Sequence, residues 1–233
     1  QIASSKAFFA RKDKYKDLKY LAYFQAYTNT YGELEKLKLL YEEALRQPDI
    51  VGLVVGTRPD CVSDELLDYF EELNRRTYVM IEYGIESCSN EILEKINRGH
   101  NFECAVNAIK ATSKRNIQVA AHLILGLPFE SREQMLKGAD EMSNLPINVL
   151  KLHQLQIVRG TRMAKEYEEH PEWFELFTPD SYIELLSEFL PRLREDIVVE
   201  RFVSQTPKSI LVAPDWGLKN YEFNDKLKKN LGL

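Results

Sequence analysis

QVAAHLILGLPFES, residues 118–131, is an apolar run interrupted once, by His122, and closed by a Gly-Leu-Pro turn with Glu130 and Ser131 just beyond it. Such a run between turn signals predicts a strand covered on both faces, the habit of parallel sheets. Glu130 and Ser131 stand before a helical pattern. The stretch therefore predicts the top of a βα unit, the end at which such folds keep their chemistry.

The same grammar extends in both directions. YLAYFQAYTN (about 20–29), IVGLVVG (50–56) and TYVMIEYGIES (77–87) are strand-like upstream, and INVLKLHQLQIV (147–158) and IVVERFV (197–203) downstream. Helical patterns separate them: GELEKLKLLYEEALRQ, then DELLDYFEELN with Ser63 as its N-cap. A helix opens near Asn90, FECAVNAIKATSK follows the Gly99 break, another helix runs from Arg132 to about Met142, and a helical region from Thr161 to Leu190 is broken at Pro171 and Pro179. Strand and helix alternating in one direction imply right-handed βαβ crossovers and a parallel sheet; closure into a barrel is not fixed by periodicity. The chain has neither G-x-G-x-x-G nor G-x-x-x-x-G-K-S/T, so the dinucleotide-binding and phosphate-loop classes are excluded.

With 233 residues, 44% hydrophobic and 29% charged, the chain can bury a full core. A net charge of −5 argues against a generic nucleic-acid or anionic-membrane surface. Neither a membrane span nor a signal peptide is predicted. The three cysteines, Cys61, Cys88 and Cys104, are widely spaced without a C-x-x-C, which predicts a reduced, cytoplasmic protein rather than a disulfide scaffold.

Side chains alternate faces along a strand, so the parity of polar positions is informative. Gln25 and Asn29 share a face, as do Gly52, Gly56 and Arg58; Glu82, Gly84 and Glu86; Ala120, His122 and Gly126; Lys151 and His153; Arg201 and Gln205. Each group taken alone is readily satisfied by a neighbouring carbonyl or helix end. Together they predict one polar face lining a common lumen, with glycines making room, and such a lumen requires a polar ligand because unpaired buried charge is costly.

AYFQAYTNTYG, GLVVGTRPDCVSDE, EYGIESCSNEILEKINRGHNF, AAHLILGLPFES and LKLHQLQIVRGTRMAKEY, in this order and spacing, closely resemble the YhcC-like subfamily of radical S-adenosylmethionine (SAM) proteins. That subfamily is similar to the catalytic subunit of Elongator and to oxygen-independent coproporphyrinogen oxidases. The resemblance runs from about Tyr20 to Trp216 and implies an α/β fold, a partial (β/α)6 TIM-like barrel of parallel strands, with SAM across the strand ends against a [4Fe–4S] cluster. It implies Gln25, Thr28 and Asn29 at the methionyl amine, Glu86 and Ser87 at the ribose, and Gly126, Leu127 and Pro128 near adenine, with backbone of Gln156 and Ile157. Arg58 and His122 are further cofactor candidates; Glu82, Lys151, His153 and Arg201 are substrate candidates. Kinship to tRNA-modifying enzymes suggests RNA as a substrate class, and the chemistry requires an electron donor.

One departure from the pattern stands out. Family members carry three closely grouped cysteines after the first barrel strand, and Cys61, Cys88 and Cys104 lack that spacing. The expectation is a chain that starts inside the first barrel helix: residues 1–18 as its remnant, 19–205 as the barrel, 206–233 as a C-terminal extension, with the first strand and the cluster cysteines upstream. Such a chain would be inactive alone. Tyr20, Tyr23, Tyr27 and Tyr31 crowd the first strand, where packing is their expected role. The basic LKNYEFNDKLKKNLG segment is expected to be a solvated terminal helix. Two rival functions remain: a cluster-free enzyme using Lys151 as a Schiff-base nucleophile with Glu82 or Glu86 carrying the proton, and a non-catalytic binding module.

Overall fold

Six strands run parallel in one sheet: β1 (Tyr20–Phe24), β2 (Ile50–Thr57), β3 (Tyr78–Glu86), β4 (Gln118–Leu125), β5 (Val149–Gln154) and β7 (Val198–Arg201), each beside the next in that order. The structure is a computed structural model and describes residues 18–25 and 27–232. The sheet curls into a half-barrel. Helices α1 (Leu34–Leu45), α2 (Asp64–Asn74), α3 (Asn90–Lys95), α4 (Phe102–Lys114), α5 (Arg132–Ser143), α6 (Arg162–Glu169) and α7 (Pro179–Phe189) fill the connections. The helix remnant expected over 1–18 lies, Leu18 apart, outside the described residues.

The period-2 pattern divides the sheet into two unlike faces. Leu53, Val55, Val79, Ile81, Val119, Ala121, Leu150 and Leu152 point outward and are buried with Phe70, Ile109, Met142 and Phe189 of the helices. Each aliphatic side chain so buried contributes about 1.5–3 kcal/mol. The concave face starts with a small apolar floor, Val54, Met80, Ala120 and Val149, and becomes polar toward the strand ends. That order puts the chemistry at the C-terminal end of the sheet.

The turn after β4 is fixed by its neighbours. Gly126 has φ +85°, and a Cβ there would lie 2.8 Å from the Phe177 ring, so both conformation and space require glycine. Ser131 and Gln134 form a capping box, with Ser131 Oγ accepting from the Gln134 amide and Gln134 Oε1 accepting from the Ser131 amide. Glu130 is thereby held beside the strand ends.

Three strands are clearly shorter than their sequence patterns, β7 ending at Arg201 rather than at residue 203. The first ends at Phe24, not at residue 29, and Tyr27 and Tyr31 are exposed at 99% and 81% rather than packed. The fifth breaks after Gln154: β6 (Ile157–Val158) leaves the barrel and pairs antiparallel with β8 (Leu211–Ala213). The cause is a side chain. Gln154 is buried, accepts from the Ser204 amide at 2.9 Å and donates to the Ser204 carbonyl at 3.0 Å, closing the sheet end on the segment after β7. The terminal helix α8 (Asn220–Leu231) is docked by buried Phe223 and Leu227, so the basic segment is solvated on one face only.

Candidate functional site

Glu82, on β3, is the hub of the polar layer. It is 2% exposed, and its Oε2 accepts from Tyr23 Oη at 2.5 Å and from His122 Nε2 at 3.2 Å, while Oε1 accepts from Lys151 Nζ. Burial alone would push this carboxyl up. Hydrogen bonds from His122, Lys151 and Tyr23 outweigh it and hold the carboxyl down at about 2. An ionised acceptor fixes His122 as the tautomer with a proton on Nε2. Lys151 is itself 3% exposed and also pairs with Glu200 at 3.2 Å. Two carboxylates hold its ammonium, the opposite of the neutral amine a Schiff-base nucleophile needs.

Above this layer, at the strand ends, the backbone is irregular. Glu86 has φ +74°, uncommon for a residue with a Cβ, and the β3–β4 register shifts between Gly84 and Glu86. Arg98, just after α3, donates from Nη2 to the Gly84 carbonyl at 2.6 Å and pairs with Glu86 Oε1 at 3.2 Å. A Cβ on Gly84 would lie 2.6 Å from Glu86 Oε1 and 2.7 Å from Arg98 Nη2, so glycine makes the space for this pair. Glu86 Oε2 has no partner among the described residues, and one fifth of the side chain is open. Behind it Ser87 donates to Glu130 at 2.7 Å; burial pushes the Glu130 carboxyl up to about 7 against that bond and the nearby Leu127 and Gly126 backbone, and its second oxygen makes no hydrogen bond of good geometry among the described residues.

A cavity of about 320 Å³ opens here, lined by Gln25, Thr28, Arg58, Glu82, Glu86, His122, His153 and Arg201, with Tyr23 and Arg98 also in its wall. These sequence candidates come together. Arg58 meets Asp60 through Nε at 2.9 Å and Nη2 at 2.6 Å. Lys151 lies beneath the cavity rather than on its wall, because Glu82 covers it. Ser87 and Leu127 are buried at 2% and 3%, Ser87 committed to Glu130 and Leu127 packed with Ile92, Leu155 and Ile157, so their side chains are closed to a ligand. Gly126 and Pro128 are buried as well, and none of Gly126, Leu127, Pro128, Gln156 and Ile157 lines this cavity. Gln156 Oε1 accepts from Ser204 and Thr206, and Ile157 is buried, leaving their backbone.

Asn29 is also committed: its Nδ2 donates to the Phe24 and Gly56 carbonyls, both at 2.9 Å. Parity carried past the end of β1 put it on the lumen face, whereas it ties the turn to β2. Asn29→Ala should cost about 1–2 kcal/mol of stability, the scale of two ordinary hydrogen bonds, read as a lowered urea midpoint. An unchanged midpoint would return its amide to ligand binding. Arg98, Tyr23 and Glu130 are site residues that the strand patterns missed; Arg98 sits in the quoted EYGIESCSNEILEKINRGHNF stretch, which was its available signal.

A parallel half-barrel with its polar groups gathered at the C-terminal strand ends is an open, TIM-like scaffold whose ligand site lies at that rim. The chain belongs to the radical SAM superfamily, in its YhcC-like subfamily: residues 9–142 match the Radical SAM superfamily and residues 147–232 the Radical_SAM C-terminal domain. It is 36% identical to YtqA of Bacillus subtilis over 94% of this chain and 67% of that protein. Identity to YhcC of Escherichia coli is also 36%, over 85% of this chain and 64% of that one. The chain thus spans about two thirds of the length of these relatives. The archaeal Elp3 of Methanocaldococcus infernus shares the fold with a TM-score of 0.69 at 22% identity, over 84% of this chain and 46% of that one.

The donor sets fit one of the family's two cofactors. Glu86, with one carboxylate oxygen unpaired among the described residues at a strand end, suits a ribose diol, and Gln25, Thr28, Arg58, His122, His153 and Arg201 bring polar groups to the cavity beside it. No group of three His, Cys, Asp or Glu among the described residues is arranged to hold a metal ion. Cys61 lies on a 3-10 turn, Cys88 after β3 with its sulfur near the Gly138 carbonyl, and Cys104 on α4, so these three do not fit a [4Fe–4S] cluster. No helix among the described residues is long and apolar enough to cross a membrane.

Proposed function

We propose that this half-barrel binds SAM across the C-terminal ends of its strands and that the whole protein is a radical SAM enzyme. The observation that carries this is Glu86: left-handed at the end of β3, oriented by Arg98, with one oxygen unpaired among the described residues. Bound beside a reduced [4Fe–4S] cluster, SAM would supply one-electron, hydrogen-abstracting chemistry toward a substrate. The chain's own residues bind and orient. Glu86 accepts from the ribose diol, a charge-assisted contact. Gln25 and Thr28 face the methionyl amine from the end of β1, and Arg58 and His122 complete the polar wall. The Gly126–Leu127–Pro128 backbone and that of Gln156 and Ile157 flank the adenine. Cysteines for the cluster come from outside the described residues in this proposal, so the chain alone is expected to be inactive.

Expressed from its complete reading frame and reconstituted anaerobically with iron and sulfide, the protein should turn brown and, with a reductant, convert SAM to methionine and 5′-deoxyadenosine. Chromatographic absence of that nucleoside from a well-reconstituted preparation overturns the enzyme reading in favour of a binding module. The present chain under the same treatment should retain no stoichiometric cluster.

A further inference from the structure

Four arginine and lysine side chains lie in or just beneath the cavity among the described residues, and three are already paired. Arg58 is bidentate on Asp60, Arg98 pairs with Glu86, and Lys151 lies between Glu82 and Glu200. Arg201, the register partner of Lys151 across β5 and β7, has no hydrogen bond and no ion pair among the described residues. The nearby carboxylates are spent: Glu82 takes three donors, and Glu200 turns to Lys151. Arg201 is half-buried and permanently charged, so an unpartnered guanidinium there costs desolvation energy without return.

A second, independent observation lies beside it. His153 lines the same cavity, and its Nε2 is shielded from solvent with no hydrogen-bond partner among the described residues. Burial, with the charges of its neighbours, pushes this imidazole down to about 3, so the ring is neutral and can offer one N–H. It stacks on His122 with centroids 5.5 Å apart, and His122 is anchored by Glu82. The wall is therefore rigid before any ligand arrives.

We propose that Arg201 and His153 seat an anionic group of the substrate, a carboxylate or a phosphate, on the β5–β7 side of the cavity, away from Glu86 on β3. A planar fork beside a neutral N–H donor is the donor set such groups select. The register fixes the depth. Arg201 is level with Lys151, His122 and Gly84; across the register shift Glu86 pairs with Leu123, one residue higher on β4, and His153 pairs with Ile124, one higher again. This inference rests on the SAM reading, because only SAM held at Glu86 leaves this second, separate seat to the substrate.

The test is calorimetric titration of the chain with benzoate, phenyl phosphate and, as the neutral analogue, benzamide, alongside NMR of labelled histidines. The expected result is saturable millimolar binding of an anion, no binding of benzamide, and a shift of the His153 ring signals. Arg201→Gln should weaken anion binding at least tenfold, Arg201→Lys less, and Lys110→Gln on exposed α4 not at all. Tighter binding of phenyl phosphate assigns a phosphate, tighter binding of benzoate a carboxylate. No saturable anion binding, or binding unchanged in Arg201→Gln, overturns the proposal. SAM titration separates it from the reading beneath: loss of SAM affinity in Arg201→Gln would give this arginine to the cofactor and overturn the substrate seat alone. Anion binding without any SAM binding would sink the SAM reading alone.

Discussion

Lys151→Met should destabilise the half-barrel by about 3–5 kcal/mol in urea unfolding, the cost of leaving a buried carboxylate without its counter-ion. Glu82 is 2% exposed and sits where four elements meet: Tyr23 reaches it from β1, His122 from β4 and Lys151 from β5. Removing the ammonium leaves only Tyr23 and His122 to solvate a full negative charge. Glu82→Gln combined with Lys151→Met should recover a large part of the loss, since the pair is then replaced rather than broken. The same hub makes stability depend on acid. Its folded carboxyl titrates at about 2, below the ordinary 4.5, so its contribution is complete above about pH 4.5 and is lost as pH falls toward 2. Glu82→Gln should flatten the stability profile in that window. A cost below about 1 kcal/mol for Lys151→Met would mean that the ion pair is open to water and that the lumen is not a low-dielectric site.

The fold was legible because the sequence repeats one unit with both periodicities intact. QVAAHLIL carries residues for two buried faces, and helices such as DELLDYFEELN begin at a side chain that caps, Ser63 accepting from the Leu66 amide. Lys151, His153 and Arg201 were legible as lumen residues for the same reason: their strands are regular, so parity transfers directly to facing. What stayed hidden depends on contacts distant in sequence or on broken regularity. INVLKLHQLQIV reads as one strand, yet it is cut where Gln154 meets Ser204, fifty residues away. Asn29 was given a facing by extrapolating beyond the point where β1 has already ended at Phe24. Arg98 is on no strand, and nothing in a period-2 pattern reveals that its side chain returns to the carbonyl of Gly84.

The second large effect concerns that return. Glu86→Ala should weaken SAM binding by about 2–3 kcal/mol, the range for losing hydrogen bonds to a charged acceptor, and Glu86→Gln should cost less because it keeps an acceptor without the charge. Arg98→Ala tests whether the carboxylate must be aimed. Arg98 holds Glu86 Oε1 and the Gly84 carbonyl through one nitrogen, across the register shift that gives Glu86 its φ of +74°. Without it the strand end can relax toward ordinary β geometry and swing the free oxygen away from the rim. Arg98→Ala should therefore lower SAM affinity although it adds no new contact and removes none to the ligand, and Arg98→Ala added to Glu86→Ala should cost little more than Glu86→Ala alone. The double-mutant cycle in calorimetry is decisive, since residues acting through one another are non-additive. Strict additivity would make Arg98 an independent ligand of SAM or of the substrate, and equal losses in Glu86→Gln and Glu86→Ala would make the Glu86 charge, rather than its hydrogen-bonding reach, the property that the rim requires.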